Sequence, residues 1–263
     1  MSATPVFDEL RDALVAERPV ALATVVDGPN LGAKLLVGPG APVVGSLGNA
    51  DLDRVVARDA IGELEAGLTS IRHYGPNGEA KADGVAIFVE SFARAPQMII
   101  FGAVDFTAAL AKVAKVLGYR VTVCDARAVF ATVARFPMAD EVVSDWPDRY
   151  LAKVADTLGP RDAVCVLTHD AKFDVPAIVG ALDTRVGYLG AMGSRGTHAR
   201  RVTLLREAGI DDDALARVMA PIGLDIGSRT PEETAVAVCA EIIALRTGHI
   251  GAGPLRDGTG PIH

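Results

Sequence analysis

Cysteine is scarce in this chain, with only Cys124, Cys165 and Cys239 among 263 residues. They are too few and too far apart for a disulfide framework, a zinc site or a pair of iron–sulfur clusters, and they read as reduced core thiols of a cytoplasmic protein. Positive charge is also in short supply. The 26 Lys and Arg are outnumbered by 33 Asp and Glu, leaving a net charge of −7 and no basic stripe, which argues against a surface built to neutralise nucleic-acid phosphates. No apolar run approaches the roughly eighteen residues that span a bilayer, and the N-terminus lacks the basic start and apolar stretch of a signal peptide. Neither secretion nor membrane insertion is expected. Half of the residues are apolar, enough for a sizeable core in one large domain or two modest ones.

The first part of the chain reads as a small mixed α/β domain over residues 1–93. Phe7, Leu10, Leu14 and Val15 recur at helical intervals until Pro19, and three short apolar runs follow, Val20 to Val26, Ala33 to Val37 and Pro42 to Leu47. Gly-Pro-Asn and Gly-Pro-Gly separate these runs as turns separate strands. A helix over Ala50 to Ala66 and a strand over Gly84 to Glu90 complete this part.

From Gln97 the pattern becomes a regular alternation of short apolar strands and amphipathic helices, the signature of βαβ units and a parallel sheet over residues 97–248. The expected strands are Met98–Phe101, Arg120–Cys124, Glu141–Val143, Ala163–Leu167 and Val186–Leu189. The expected helices are Thr107–Leu117, Tyr150–Leu158, Val175–Leu182, His198–Ala208 and Pro231–Arg246, the last with Pro and two Glu at a favourable start. Residues 249–263, rich in Gly and Pro, read as a flexible tail.

Several polar groups fall just after these strands, where open parallel sheets place their ligand sites. Ile99-Ile-Phe-Gly102-Ala-Val-Asp105 has the outline of a dinucleotide turn, and Asp125 follows Gly102 at the roughly twenty-residue spacing at which an acid meets a ribose hydroxyl. Val104 stands where a second glycine would admit a pyrophosphate, so a Rossmann fold with an altered or lost nucleotide site is the alternative. On the first view, Val104→Gly relieves the turn and improves nucleotide binding. His169 and Asp170 follow the fourth strand, with Asp174 available to cap the next helix; an ordinary loop is the plainer reading. Gly193, Ser194 and Arg195 follow the fifth strand and open a helix, where amides, dipole and guanidinium favour an anion, or where a simple cap and a solvated Arg would suffice. Asp225 and Arg229 lie in an ordered glycine-rich loop and either face the same crevice, pair with each other or cap a helix. Glu232 and Glu233 suit a helix start.

Thr168-His-Asp with Asp174, Tyr188-Leu-Gly-Ala-Met-Gly-Ser-Arg195, Pro221-Ile-Gly-Leu-Asp-Ile-Gly227 and Thr230-Pro-Glu-Glu-Thr-Ala-Val together resemble the C-terminal domain of the XdhC/CoxI family. Arg135-Phe-Pro-Met-Ala-Asp140 resembles the stretch before that domain's third strand, and Gly32-Ala-Lys34 and Gly45-Ser-Leu-Gly48 resemble the family's N-terminal domain more loosely. The resemblance implies an accessory factor that binds molybdenum cofactor, supports its sulfuration with a cysteine desulfurase, and delivers it to a xanthine dehydrogenase-type molybdenum hydroxylase. A homodimer is also expected. The chain departs from the family pattern at three points. Asp51 stands where a thiol would fall, Ala82-Asp83-Gly84 replaces a second Cys-Gly-Gly, and Val104-Asp105 replaces the Gly-His of the glycine turn.

The competing expectations are an NAD-binding oxidoreductase, with His169 as its candidate acid/base, and a ligand-sensing module without catalysis. The residues expected to line one crevice are Gly102, Asp105, Asp125, His169, Ser194 and Arg195, and Asp170, Gly193 and Asp225 join them as cofactor-binding candidates. No metal ligand is assigned.

Overall fold

The structure is a computed structural model that describes residues 5–75, 77–79, 84–249, 251 and 253–257. Ala82 and Asp83 of the second departure, and 250, 252 and 258–263 of the expected tail, lie outside the described residues. The chain divides into two compact units, Met1–Arg94 and Ala95–His263.

The first unit contains α1 (Pro5–Val15), β1 (Val20–Asp27), β2 (Lys34–Val37), β3 (Val44–Ser46), α2 (Ala50–Ala66), β4 (Ser70–Tyr74) and β5 (Val85–Phe92). Its strands form an antiparallel sheet in the order β3-β2-β1-β5-β4. Alternation along β1 sorts the two faces: Ala21, Ala23 and Val25 pack with Leu52, Val56, Ala60 and Leu64 of α2, whereas Val20 and Leu22 pack with Val6 and Ala13 of α1. Asn49 caps α2 by accepting from the amides of Asp51 and Leu52, and Gly67 ends it at a φ of 65°. The strand β4 was not among the expected elements. It is an edge strand paired only to β5, and Ile71, Arg72 and His73 are exposed, so it carries no apolar alternation to read.

The second unit contains β6 (Gln97–Phe101), α3 (Asp105–Val116), β7 (Arg120–Cys124), β8 (Glu141–Val143), α4 (Pro147–Val154), β9 (Ala163–Val166), α5 (Ala171–Leu182), β10 (Tyr188–Ala191), α6 (Arg195–Glu207), α7 (Asp212–Leu215), β11 (Val218–Met219) and α8 (Pro231–Thr247). The sheet is parallel throughout and runs β11-β10-β9-β6-β7-β8. With strands numbered within the unit, this is the doubly wound 3-2-1-4-5-6 arrangement read from the other edge, and the order of strand addition reverses between β6 and β9. The Rossmann-like expectation is therefore met.

Both sheet faces are covered, which explains why the central strands read as continuous apolar runs. Met98, Ile100, Val121, Val123 and Cys165 pack beneath α3 and α8, while Ile99, Phe101, Val164, Val166 and Leu189 pack beneath α4, α5 and α6. Entry to β10 is equally tight. A Cβ built on Gly187 would collide with the carbonyl oxygen of Pro160 in the segment that leads into β9. Gly187→Ala is therefore expected to destabilise the protein by about 1 to 3 kcal/mol, because the clash is with backbone rather than a movable side chain. Thermal or urea unfolding checks this, and a wild-type midpoint would show that the segment yields freely.

Candidate functional site

The register of the parallel sheet brings most of the expected site residues to one edge. Phe101 pairs with Cys124 and with Val166, and Val166 pairs with Ala191, so the chain leaves four adjacent strands at the same level. Gly102, Asp125, Thr168-His169-Asp170 and Gly193-Ser194-Arg195 all follow directly. Asp105 opens α3 from this edge, and Asp225 lies in the loop that leaves β11 beside β10.

The glycine turn is closed by its own side chains. Gly102 has a φ of 109°, and a Cβ there would lie 3.0 Å from the amide nitrogen of Thr168, so only glycine lets β6 approach β9 this closely. The Ala103 amide donates to Asp125 Oδ2 at 2.8 Å, the Val104 amide faces Thr107 Oγ1 at 3.5 Å, and Thr107 Oγ1 donates to the Gly102 carbonyl. Asp105 is exposed at the first position of α3, where its negative charge suits the helix dipole and opposes a second anion.

Asp125 is likewise committed. It is 4% exposed, and besides Ala103 it accepts from the Arg127 amide and Nε at 2.9 Å and from Arg127 Nη2 at 2.7 Å. Burial works against its ionisation, but the guanidinium and the two amides outweigh that cost and hold its pKa below the ordinary carboxylate value. The acid expected to receive a ribose therefore clamps β7 to the glycine turn. Arg127 in turn lies 4.6 Å from the ring centre of Phe130 and 5.8 Å from that of Phe173, and Trp146 sits 5.2 Å from Phe173.

His169 is exposed. Asp170, rather than Asp174, caps α5: its carboxylate accepts from the Lys172 amide at 3.1 Å and pairs with Lys172 Nζ at 3.0 Å. Asp174 points inward instead. It is 3% exposed, accepts from Thr168 Oγ1, and receives Arg201 Nη2 at 2.7 Å. Arg201, also 3% exposed, donates from the same nitrogen to the Met192 carbonyl at 2.7 Å. This buried pair joins the ends of β9 and β10 to the first turn of α5 and the second turn of α6. It was not foreseen, although Arg201 shares the buried stripe of α6 with Leu205 at i+4, and a cation on an apolar stripe is a readable signal.

The head of α6 is open by comparison. Ser194 caps it by accepting from the Thr197 amide at 3.1 Å, and Gly193 precedes it with a φ of 141°. Arg195 occupies the first helical position and is exposed. The loop after β11 folds against the same edge: the Ile222 amide donates to the Ala191 carbonyl at 3.2 Å, and that of Gly223 to Glu241 Oε2 at 3.0 Å. Asp225 is exposed on this loop, and no ion pair joins it to Arg229 among the described residues. Glu233 caps α8 by accepting from the Arg229 amide at 2.7 Å and the Thr230 amide at 3.1 Å, as its sequence position implied.

All three cysteines are buried. Burial pushes the Cys124 thiol up to about 12 and the Cys239 thiol up to about 11, and raises Cys165 well above its usual value. None is a thiolate at neutral pH. Among the described residues, no group of three His, Cys, Asp or Glu side chains is placed to hold a metal ion, and no helix is long and apolar enough to cross a membrane.

The family model described as the XdhC Rossmann domain matches residues 98–242, and that of the XdhC and CoxI family matches residues 13–75. A probable xanthine dehydrogenase component of Bacillus subtilis (strain 168) is 31% identical over 160 residues, covering 61% of this chain and 46% of its own length. The molybdenum cofactor insertion chaperone PaoD of Escherichia coli (strain K12) is 30% identical over 99 residues, 38% of this chain and 31% of its own. A third relative, the uncharacterized protein YqeB of the same strain, is 26% identical over 245 residues, 89% of this chain and 44% of its own. The chain thus spans less than half the length of the curated relatives it matches. The crystal structure of a xanthine dehydrogenase from Bacillus halodurans shares the fold, with a TM-score of 0.54 at 19% identity over 96% of this chain and 98% of that one.

Two outcomes follow from the closed turn and its clamp. Val104→Gly should leave NADH affinity unchanged, since the Ala103 amide and the Asp125 carboxylate stay engaged; tighter binding by isothermal calorimetry would show that Val104 alone blocks the site. Asp125→Asn should lower stability at neutral pH by about 1 to 3 kcal/mol. A carboxylate held below its unfolded value of about 3.9 stabilises above that pH and loses its contribution as pH falls through the folded value. The gap between variant and wild type should therefore close on acidification, and a pH-independent gap in thermal melts would rule out the carboxylate's charge as its origin.

Proposed function

The chain belongs to the XdhC and CoxI family, and we propose that it serves the maturation of a xanthine dehydrogenase-type molybdenum hydroxylase by holding molybdenum cofactor at the carboxyl edge of its parallel sheet. The relatives named for xanthine dehydrogenase and for molybdenum cofactor insertion support the role. The observation that carries the reading is the open head of α6, where Gly193, Ser194 and Arg195 present amides, a helix dipole and an exposed guanidinium at the sheet edge.

Those groups fit the anionic end of such a cofactor. When bound, the cofactor supplies the molybdenum centre that the recipient enzyme needs. The chain's own residues hold and orient it: Arg195 and the α6 amides take the charge, while His169, Asp170 and Asp225 offer exposed polar side chains along the same edge. Gly102 keeps the strand ends close, and Asp125 and Asp105 shape the turn beside them.

The buried, protonated thiols cannot act as soft metal ligands or pass on sulfur. Sulfuration in this reading draws its sulfur from a cysteine desulfurase, with this chain presenting the acceptor, and a homodimer belongs to the same reading. An NAD-dependent oxidoreductase would need a free ribose acid and open turn amides, and both are engaged here.

Anaerobic titration of the whole chain with molybdenum cofactor should show saturable binding, and cofactor-loaded chain should reconstitute an apo-hydroxylase faster than free cofactor does. Arg195→Ala should weaken cofactor binding about tenfold to a hundredfold, the worth of one charge-assisted contact, while the melting temperature barely moves. Wild-type affinity in that variant would retire Arg195 as a ligand, and no binding by the wild-type chain would overturn the function.

A further inference from the structure

The first two turns of α6 concentrate positive charge where a helix least favours it. Arg195, Arg200 and Arg201 occupy this segment, and its first turn holds no acid. The helix N-terminus is itself the positive end of the dipole, so this arrangement is unfavourable unless an anion joins it. Asp174 neutralises Arg201 alone.

A second observation lies beneath the helix head. Side chains on a helix lean toward its N-terminus, and Arg201 does so far enough to reach the Met192 carbonyl with Nη2. Its Nη1 is buried and has no hydrogen-bond partner, and neither has the buried Nδ1 of His198, one turn earlier on the helix. Leaving a charged donor unpaired in the interior costs more than any neutral one, so the orphaned nitrogens of Arg201 and His198, one turn apart on α6, are a cost that a ligand would remove. Burial together with the charge of Arg201 lowers the pKa of His198. Gly193 marks where the helix head and this guanidinium converge: a Cβ there would lie 3.1 Å from the Thr197 side chain and 3.6 Å from Arg201 Nη2.

We propose that Arg201 Nη1, His198 Nδ1 and the amides at the head of α6 form an oxyanion pocket that takes a phosphate monoester, with Arg195 closing it from the solvent side. The pocket deepens the function proposed above and rests on it for the ligand, whose phosphate monoester is the group received. Arg201 is then a binding residue as well as the strut that pairs with Asp174.

Inorganic phosphate is the first probe, titrated into the full-length chain and followed by amide and guanidinium resonances. Saturable shifts confined to Gly193–Thr197, His198 and Arg201 are expected. Shifts that never saturate or that spread over all basic residues would mark an adventitious ion and overturn the pocket. Arg201→Lys keeps a cation against Asp174 but removes the second nitrogen, and phosphate affinity should fall about tenfold or more. Should that variant not fold, His198→Gln should weaken phosphate about twofold to tenfold.

The source of the phosphate is settled by competition. Molybdenum cofactor displacing phosphate supports both the pocket and the function. Saturable phosphate binding with no cofactor binding upholds the pocket and sinks the function. Cofactor binding that neither displaces phosphate nor responds to Arg201→Lys sinks the pocket and leaves the function standing. ADP displacing phosphate where the cofactor does not would reassign the pocket to a nucleotide and overturn its tie to the cofactor.

Discussion

Arg201 enters the interior of the second unit from α6 with its guanidinium almost sealed from water, and the carboxyl edge of the sheet is organised around the fact that Asp174 meets it there. Moving either charge out of water costs several kcal/mol, so neither is tolerable alone. Paired, they are joined by the Thr168 hydroxyl on one side and the Met192 carbonyl on the other. Each partner comes from a different element, so β9, α5, β10 and α6 cannot shift independently. A hydrophobic replacement of similar shape could pack as stably. It would leave the ends of β9 and β10 without a directional tie, and the backbone that leads into α6 would lose the contact that fixes its path.

That constraint divides the edge into two halves of opposite character. Around β6 and β7, the groups expected to cradle a nucleotide's pyrophosphate and ribose are turned inward: Ala103 donates to Asp125, Asp125 receives Arg127, and Gly102 presses against Thr168. Around β9 and β10, Asp174 and Met192 take only one nitrogen of Arg201, its Nη1 has no partner, and Arg195 is exposed at the helix head. The same Rossmann arrangement thus carries an internally satisfied turn at its usual nucleotide position and an unsatisfied one two strands away. Fold likeness alone would point to the first of these turns, whose amide and carboxylate are already engaged.

The second unit was legible because its central strands are buried on both faces and so spell out apolar runs without interruption. Boundaries were less so. The helix α6 begins at Arg195 rather than His198 because Arg195-Gly196-Thr197 carries no apolar period, and α5 begins at Ala171 rather than Val175 because the cap is Asp170. Two-residue β11 and the exposed edge strand β4 offered no pattern at all. Among candidate site residues, sequence position brought Gly102, Asp125, His169 and Ser194 to one edge correctly, since strand register decides that. It could not show that the Asp125 carboxylate is consumed by Arg127 two residues later, because side-chain direction in a turn is set by tertiary packing.

The grip such an edge can exert also bears on what it is for. Each charge-assisted contact contributes about 1.5 to 3 kcal/mol, and association takes back several. Three or four such donors therefore hold an anion firmly but far from the roughly −18 kcal/mol at which non-covalent binding saturates. Arg195 is exposed, so in the proposed role its contact is reached from solvent. Arg201 is paired with Asp174 in the interior. A buried inner strut beside an exposed outer cation suits the proposed role, in which a labile group is taken up, kept oriented and released to a tighter site.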